Sequence, residues 1–163
     1  MWQAPKNETK TFDPHPTGPY VARICDQWEV EQENSYFGST NPDGKVDERR
    51  TVTNVCIAML TAESIEIDGQ LRPRWVSFWA SKSWHEKSNL RKFVAGFDPS
   101  FAANDQADPE ELIGKVVMVN IVHHTKKDGT IRAKVAAAMP APRGMEHLAP
   151  SLEGYVRHAD KQQ

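Results

Sequence analysis

Two tryptophans four residues apart, Trp75 and Trp79, stand among Arg72, Arg74, Lys82 and Lys87. Aromatic faces beside positive charge do binding chemistry rather than bond-making chemistry. An indole can take the flat face of a nucleobase while the cations follow phosphates, and each such stack contributes about 1–3 kcal/mol with little sequence preference. A strand's period of two puts Trp75, Ser77 and Trp79 on one face and Val76, Phe78 and Ala80 on the other. Indoles are usually mostly buried, so the alternative reading turns both inward with Val76 and Phe78 outside. The surrounding cations favour the open arrangement. So does the small-residue face of the preceding strand, Asn54, Cys56 and Ala58, with Arg49 and Arg50 at its start.

Further candidates lie in loops and on the last strand. Tyr36 and Phe37 fall in NSYFGSTNPDGKVDER, a loop with little means of burying them unless it folds back on the domain. Lys126 and Lys127 occupy a Lys-Lys-Asp-Gly turn, either as ligand contacts or as an ordinary solvated turn. Arg132 and Lys134 share one face of the strand that follows and extend a basic track, and Trp84 is a possible addition to the aromatic platform. Cations interleaved with aromatics suit a flexible polyanion with exposed bases.

Bond-making chemistry finds little support. There is no phosphate-cradling glycine loop and no G-x-S-x-G, and no carboxylate cluster has a lysine nearby as a metal-dependent nuclease requires. His85, His123 and His124 lack ligand spacing, and two adjacent strand histidines point to opposite faces. His85-Glu86 reads as helix capping. A non-catalytic protein without metal or cofactor is expected.

The 163 residues, 39% hydrophobic, suit one domain with tails. The net charge of −2 argues against a strongly basic duplex binder but leaves room for a local basic groove. Cys25 and Cys56 each lie in an apolar strand-like segment and read as buried reduced thiols. No apolar run approaches a membrane span, and the first residues lack a signal peptide's apolar stretch, so a cytoplasmic, non-membrane protein is expected.

The elements that must position these residues follow from periodicity. Residues 1–17 read as an extended arm, pinned by Trp2 or Phe12. Strands are expected over Pro19–Val30, Arg50–Thr61, Arg74–Ala80, Lys115–His124 and Ile131–Met139. Ser83-Trp-His-Glu86 matches a capping box, and Leu90, Phe93, Val94 and Phe97 share one face of a helix that Gly96 can end. Asp108-Pro109 caps a short turn bearing Glu110 and Glu111. Three strands, a helix and a closing hairpin make a mainly β, five-stranded OB-fold barrel the expected architecture, with an open α+β sheet as the alternative. The domain spans 18–144, and 145–163 read as a flexible C-terminal tail.

SWHEKSNLRKFVAGF followed by ELIGKVVMVNIVHHTKKDGTIRAKVAAAMPAP resembles a family of small phage-encoded OB-fold proteins. The resemblance runs from Gly18 to Gly144 and is most specific at His85-Glu-Lys-Ser88, Leu90-Arg-Lys92 and Gly114. It implies single-stranded DNA binding in phage replication or recombination, with replication or recombination proteins as partners. A barrel this small presents only a short binding track, so useful coverage of DNA is also expected to draw in further copies of the chain. The competing reading is a protein-interaction or assembly module on the same barrel, in which the exposed aromatics form the interface.

Overall fold

The computed structural model describes residues 13–161; Trp2 and Phe12 lie outside them. Five strands form one antiparallel sheet: β1 (Gly18–Glu33), β2 (Thr51–Ile67), β3 (Gln70–Ser81), β4 (Val116–Thr125) and β5 (Ile131–Pro140). Their order is β3-β2-β1-β4-β5. The fold is therefore mainly β. The expected hydrogen-bonded barrel is not formed: β3 and β5 approach one another at the two ends of the sheet, but no ladder joins them.

Alternation places the core as expected. Ala22, Ile24, Val55, Ile57, Met59, Val76, Val117, Val119, Ile121 and Val135 form a continuous buried cluster. Helix α1 (Asn89–Ala95) lies between β3 and β4 in sequence and covers that cluster with Leu90, Phe93, Val94 and the following Phe97. Phe93 stacks on Phe78 of β3, ring centroids 3.8 Å apart. Burying side chains of this size contributes about 1.5–3 kcal/mol each. A short α2 (Pro99–Ala102) and a 3-10 turn (Pro109–Leu112) complete the cover. As the sequence predicts, Asp108 caps that turn by accepting from the Glu110 amide.

Two local expectations are corrected. The Ser83 capping box does not start the helix: Ser88 does, its hydroxyl accepting from the Arg91 amide at 3.2 Å. Gly96 does follow the helix, but in right-handed geometry (φ −62°). Its need for glycine is spatial, because a Cβ there would stand 2.5 Å from the Ala138 carbonyl oxygen of β5.

The hairpin between β2 and β3 turns at Asp68 and Gly69, both with positive φ, as a tight two-residue turn of matching twist demands. β1 carries a bulge between Ile24 and Asp26. One extra residue reverses side-chain parity, so Asp26 and Trp28, which would otherwise follow Ile24 inward, stand opposite Ala58 and Cys56 on the outer face.

The flanking segments are ordered where strand periodicity is silent. Residues 13–17, expected as part of an extended arm, pack on the sheet: His15 is buried, and His123 Nε2 donates to its carbonyl at 2.7 Å. Residues 145–161, expected as a flexible tail, return across the outer face as a strap that includes α3 (His158–Lys161). Leu152 and Tyr155 pack on Cys25, Ala58 and Leu60. Pro150 accepts from Arg23 Nε at 2.8 Å. Both cysteines are free and buried, and burial pushes their thiols up, Cys25 to about 11 and Cys56 to about 12.

Candidate nucleic-acid interface

β3 and β5 face each other across an open groove of about 960 Å³. Pleating turns Trp75, Ser77 and Trp79 outward while Val76 faces the core. Each indole is 45% exposed, so neither is sealed in the interior. The Trp79 indole N–H donates to Ser77 Oγ at 3.0 Å, which fixes the ring's orientation. Across the groove, Arg132 and Lys134 alternate with the inward Ala133 and Val135 of β5. Lys126 from the β4–β5 turn and Arg74 from β3 complete the cationic lining.

Arg74 is held at one end and unsatisfied at the other. Its Nη1 donates to the Asp13 carbonyl at 2.8 Å, whereas its buried Nε has no partner. Beneath it, Thr61 Oγ1 lies 2.6 Å from His15 Nε2, and His15 Nδ1 lies 2.9 Å from the Pro16 carbonyl. Burial lowers the His15 pKa. The ring is therefore neutral near pH 7, donating from Nδ1 to the carbonyl and accepting from Thr61 at Nε2. This leaves a fixed, uncharged floor beside the Arg74 guanidinium.

Six of the sequence candidates thus meet in one place: Trp75, Trp79, Arg74, Lys126, Arg132 and Lys134. The others do not line it. Tyr36 and Phe37 project from the loop between β1 and β2, 71% and 47% exposed, rather than folding back. That loop is tied at its base by Asn34, which donates to the Arg49 carbonyl and accepts from the Tyr36 amide. The Arg50 guanidinium lies 4.9 Å from the Phe37 ring centre. Arg49 is committed to Asp47 at 2.9 Å, and that contact holds the Asp47 carboxyl below the usual carboxylate range. Arg72 lies exposed on the β2–β3 hairpin, Lys87 in the turn before α1 and Lys127 in the β4–β5 turn. Lys82 pairs with Glu29 at 2.9 Å.

Trp84 is the clearest correction. Its indole N–H donates to the Asn104 carbonyl at 2.7 Å, and its ring meets Phe101 edge-on. It belongs to the wall of a separate apolar pocket of about 270 Å³ between β1, β2 and the helices.

The structure also adds residues that alternation did not select. Gln32 and Asn54, hydrogen-bonded to each other at 2.7 Å, line the groove, as does His124. Trp28 lies with its ring 6.3 Å from Trp75 and nearly parallel (17°), and 6.3 Å from Trp79 and edge-on. The bulge in β1 is what brings it there, and a strict two-residue period points it the other way. The sequence hint is the acidic continuation Asp26–Glu33, which still holds Trp28 and Val30 and leaves the strand either to run on or to bulge there. The arrangement offers π-faces, cations and amide groups along one open track.

Among the described residues, no helix is long and apolar enough to cross a membrane. Comparison with protein-family models finds no match, and comparison with curated proteins finds no significant relative.

Proposed function

We propose that this protein binds single-stranded DNA without catalysing a reaction on it, in a replication or recombination setting of the phage type that the sequence resemblance implies. Bases stack on Trp75 and Trp79, and Arg74, Lys126, Arg132 and Lys134 follow the phosphates. The observation that carries this reading is the convergence of these two half-exposed indoles and four cations on one open groove. A duplex would present its bases edge-on and stacked, whereas a flexible strand can lay them flat on an indole.

The same reading treats the domain as an OB-type arrangement. It is supported by the strand order β3-β2-β1-β4-β5, the helix between β3 and β4, and the closeness of β3 to β5. In such folds the face of strands 2 and 3 is central to the binding surface.

Titration with oligo-dT, followed by tryptophan fluorescence at two salt concentrations, tests the proposal. Strong quenching that weakens with salt is expected, with a log–log slope of roughly −0.7 per phosphate neutralised. Replacing Trp75 and Trp79 together by Ala should remove most of the signal and weaken binding at least about tenfold, from the loss of two stacks. An absence of quenching at low salt would sink the reading.

A second reading, a protein-interaction module, draws on a different observation: Tyr36, Phe37 and Val46 are all exposed on the loop between β1 and β2, away from the groove. Tyr and Trp beside Arg are typical anchors of protein interfaces. Under the DNA reading, replacing Tyr36 and Phe37 by Ala leaves oligo-dT affinity within about twofold, since neither supplies one of the stacks.

A further inference from the structure

The outer face holds a third indole that alternation does not select, and a side chain of the chain's own C-terminal strap already lies flat on it. The His158 imidazole stacks on Trp28 with ring centroids 4.2 Å apart and planes 9° from parallel. That is the geometry of a stacked base on an aromatic platform. Trp28 is in turn nearly parallel to Trp75, which lines the groove. The aromatic track therefore continues from the groove onto Trp28, where an imidazole occupies it.

We infer that Trp28 is a third base-stacking position for single-stranded DNA, held by the His158 imidazole until a nucleobase replaces it. This rests on the DNA-binding reading above. The backbone around His158 is fixed. Its amide donates to Asp26 Oδ2 at 2.6 Å, and the neighbouring Arg157 binds Asp26 at 2.7 Å and Glu110 at 2.8 Å. Exchange moves the His158 side chain off Trp28 and leaves these contacts of the strap in place. Arg157 spends its guanidinium on these two carboxylates, so this end of the track recognises a base face rather than a phosphate.

The test uses the full chain and labelled oligo-dT of about four and about twelve nucleotides, the range that one such domain covers. Removing the competitor with His158→Ala should tighten binding of the longer oligonucleotide about fivefold or more, the equivalent of one modest stack. The shorter one should be unaffected. His158→Trp, a better stacker than imidazole, should weaken binding of the longer one relative to the parent. Trp28→Leu in the His158→Ala background should erase the gain, and the His158 series decides the matter without it if that variant unfolds. Equal affinities across the His158 series, or weaker binding by His158→Ala, overturn the inference while leaving binding through Trp75 and Trp79 standing. Failure of every protein, parent included, to bind oligo-dT overturns the underlying reading and this one with it.

Discussion

Ser83 and Ser88 compete to start one helix, and the structure awards it to the second. Ser83-Trp-His-Glu86 has the better capping pattern, whereas Ser88 is followed at the third position by Arg91. What decides is where Trp84 must go. With its indole tied to the Asn104 carbonyl and the Arg91 guanidinium donating to the Trp84 carbonyl at 2.7 Å, residues 83–88 are held outside the helix. Ser88→Ala should therefore cost about 1 kcal/mol, the usual loss of a helix cap. Ser83→Ala, whose hydroxyl makes only a 3.4 Å contact to the His85 amide, should be close to neutral. Thermal unfolding of the two variants side by side checks both.

At the scale of elements, the joint between α1 and β5 is set by a missing methyl group. An alanine in place of Gly96 would gain up to about 1 kcal/mol of helix propensity. It would also drive a Cβ to 2.5 Å from the Ala138 carbonyl oxygen, a backbone atom with no freedom to step aside. Steric cost should win: Gly96→Ala is expected to destabilise by about 1–3 kcal/mol, as overpacking does. Urea unfolding gives the number, and a stabilised variant would refute the close approach. The β1 bulge works at the same scale. It moves Trp28 from the core face to the face that carries Trp75 and Trp79.

For the molecule as a whole, the strap makes the C-terminal residues part of the fold. Its anchor is Asp26, 1% exposed. Burial alone would raise that carboxyl's pKa. Hydrogen bonds from the His158 amide, Arg157, the Gln27 amide and the Tyr155 hydroxyl more than offset it and hold the pKa below its ordinary value. Because the folded pKa is depressed, the stabilisation is fully present above the unfolded value of about 3.9. It is lost as pH falls through the lower folded value. Asp26→Asn should cost on the order of 3 kcal/mol near neutral pH, as breaking a buried pair does. It should also flatten the loss of stability below about pH 4. Chemical denaturation across pH, parent against variant, measures both effects. An acid limb as steep as the parent's would mean that other carboxylates control it.

Local pattern alone was enough to read the five strands, the apolar face of α1, the turn at Lys126–Gly129, and the outward set of Trp75 and Trp79. These are near-neighbour properties, fixed by side-chain period and by turn residues a few positions apart. Tertiary packing decided the rest. Trp28 joined the aromatic track only because β1 carries an extra residue there, and Trp84 left it because a distant carbonyl claimed its N–H. The C-terminal residues were held because one buried carboxylate collects donors about 130 positions away in sequence. The open seam between β3 and β5 is of the same kind: whether two edges pair depends on how five strands twist together, and no stretch of either strand encodes it.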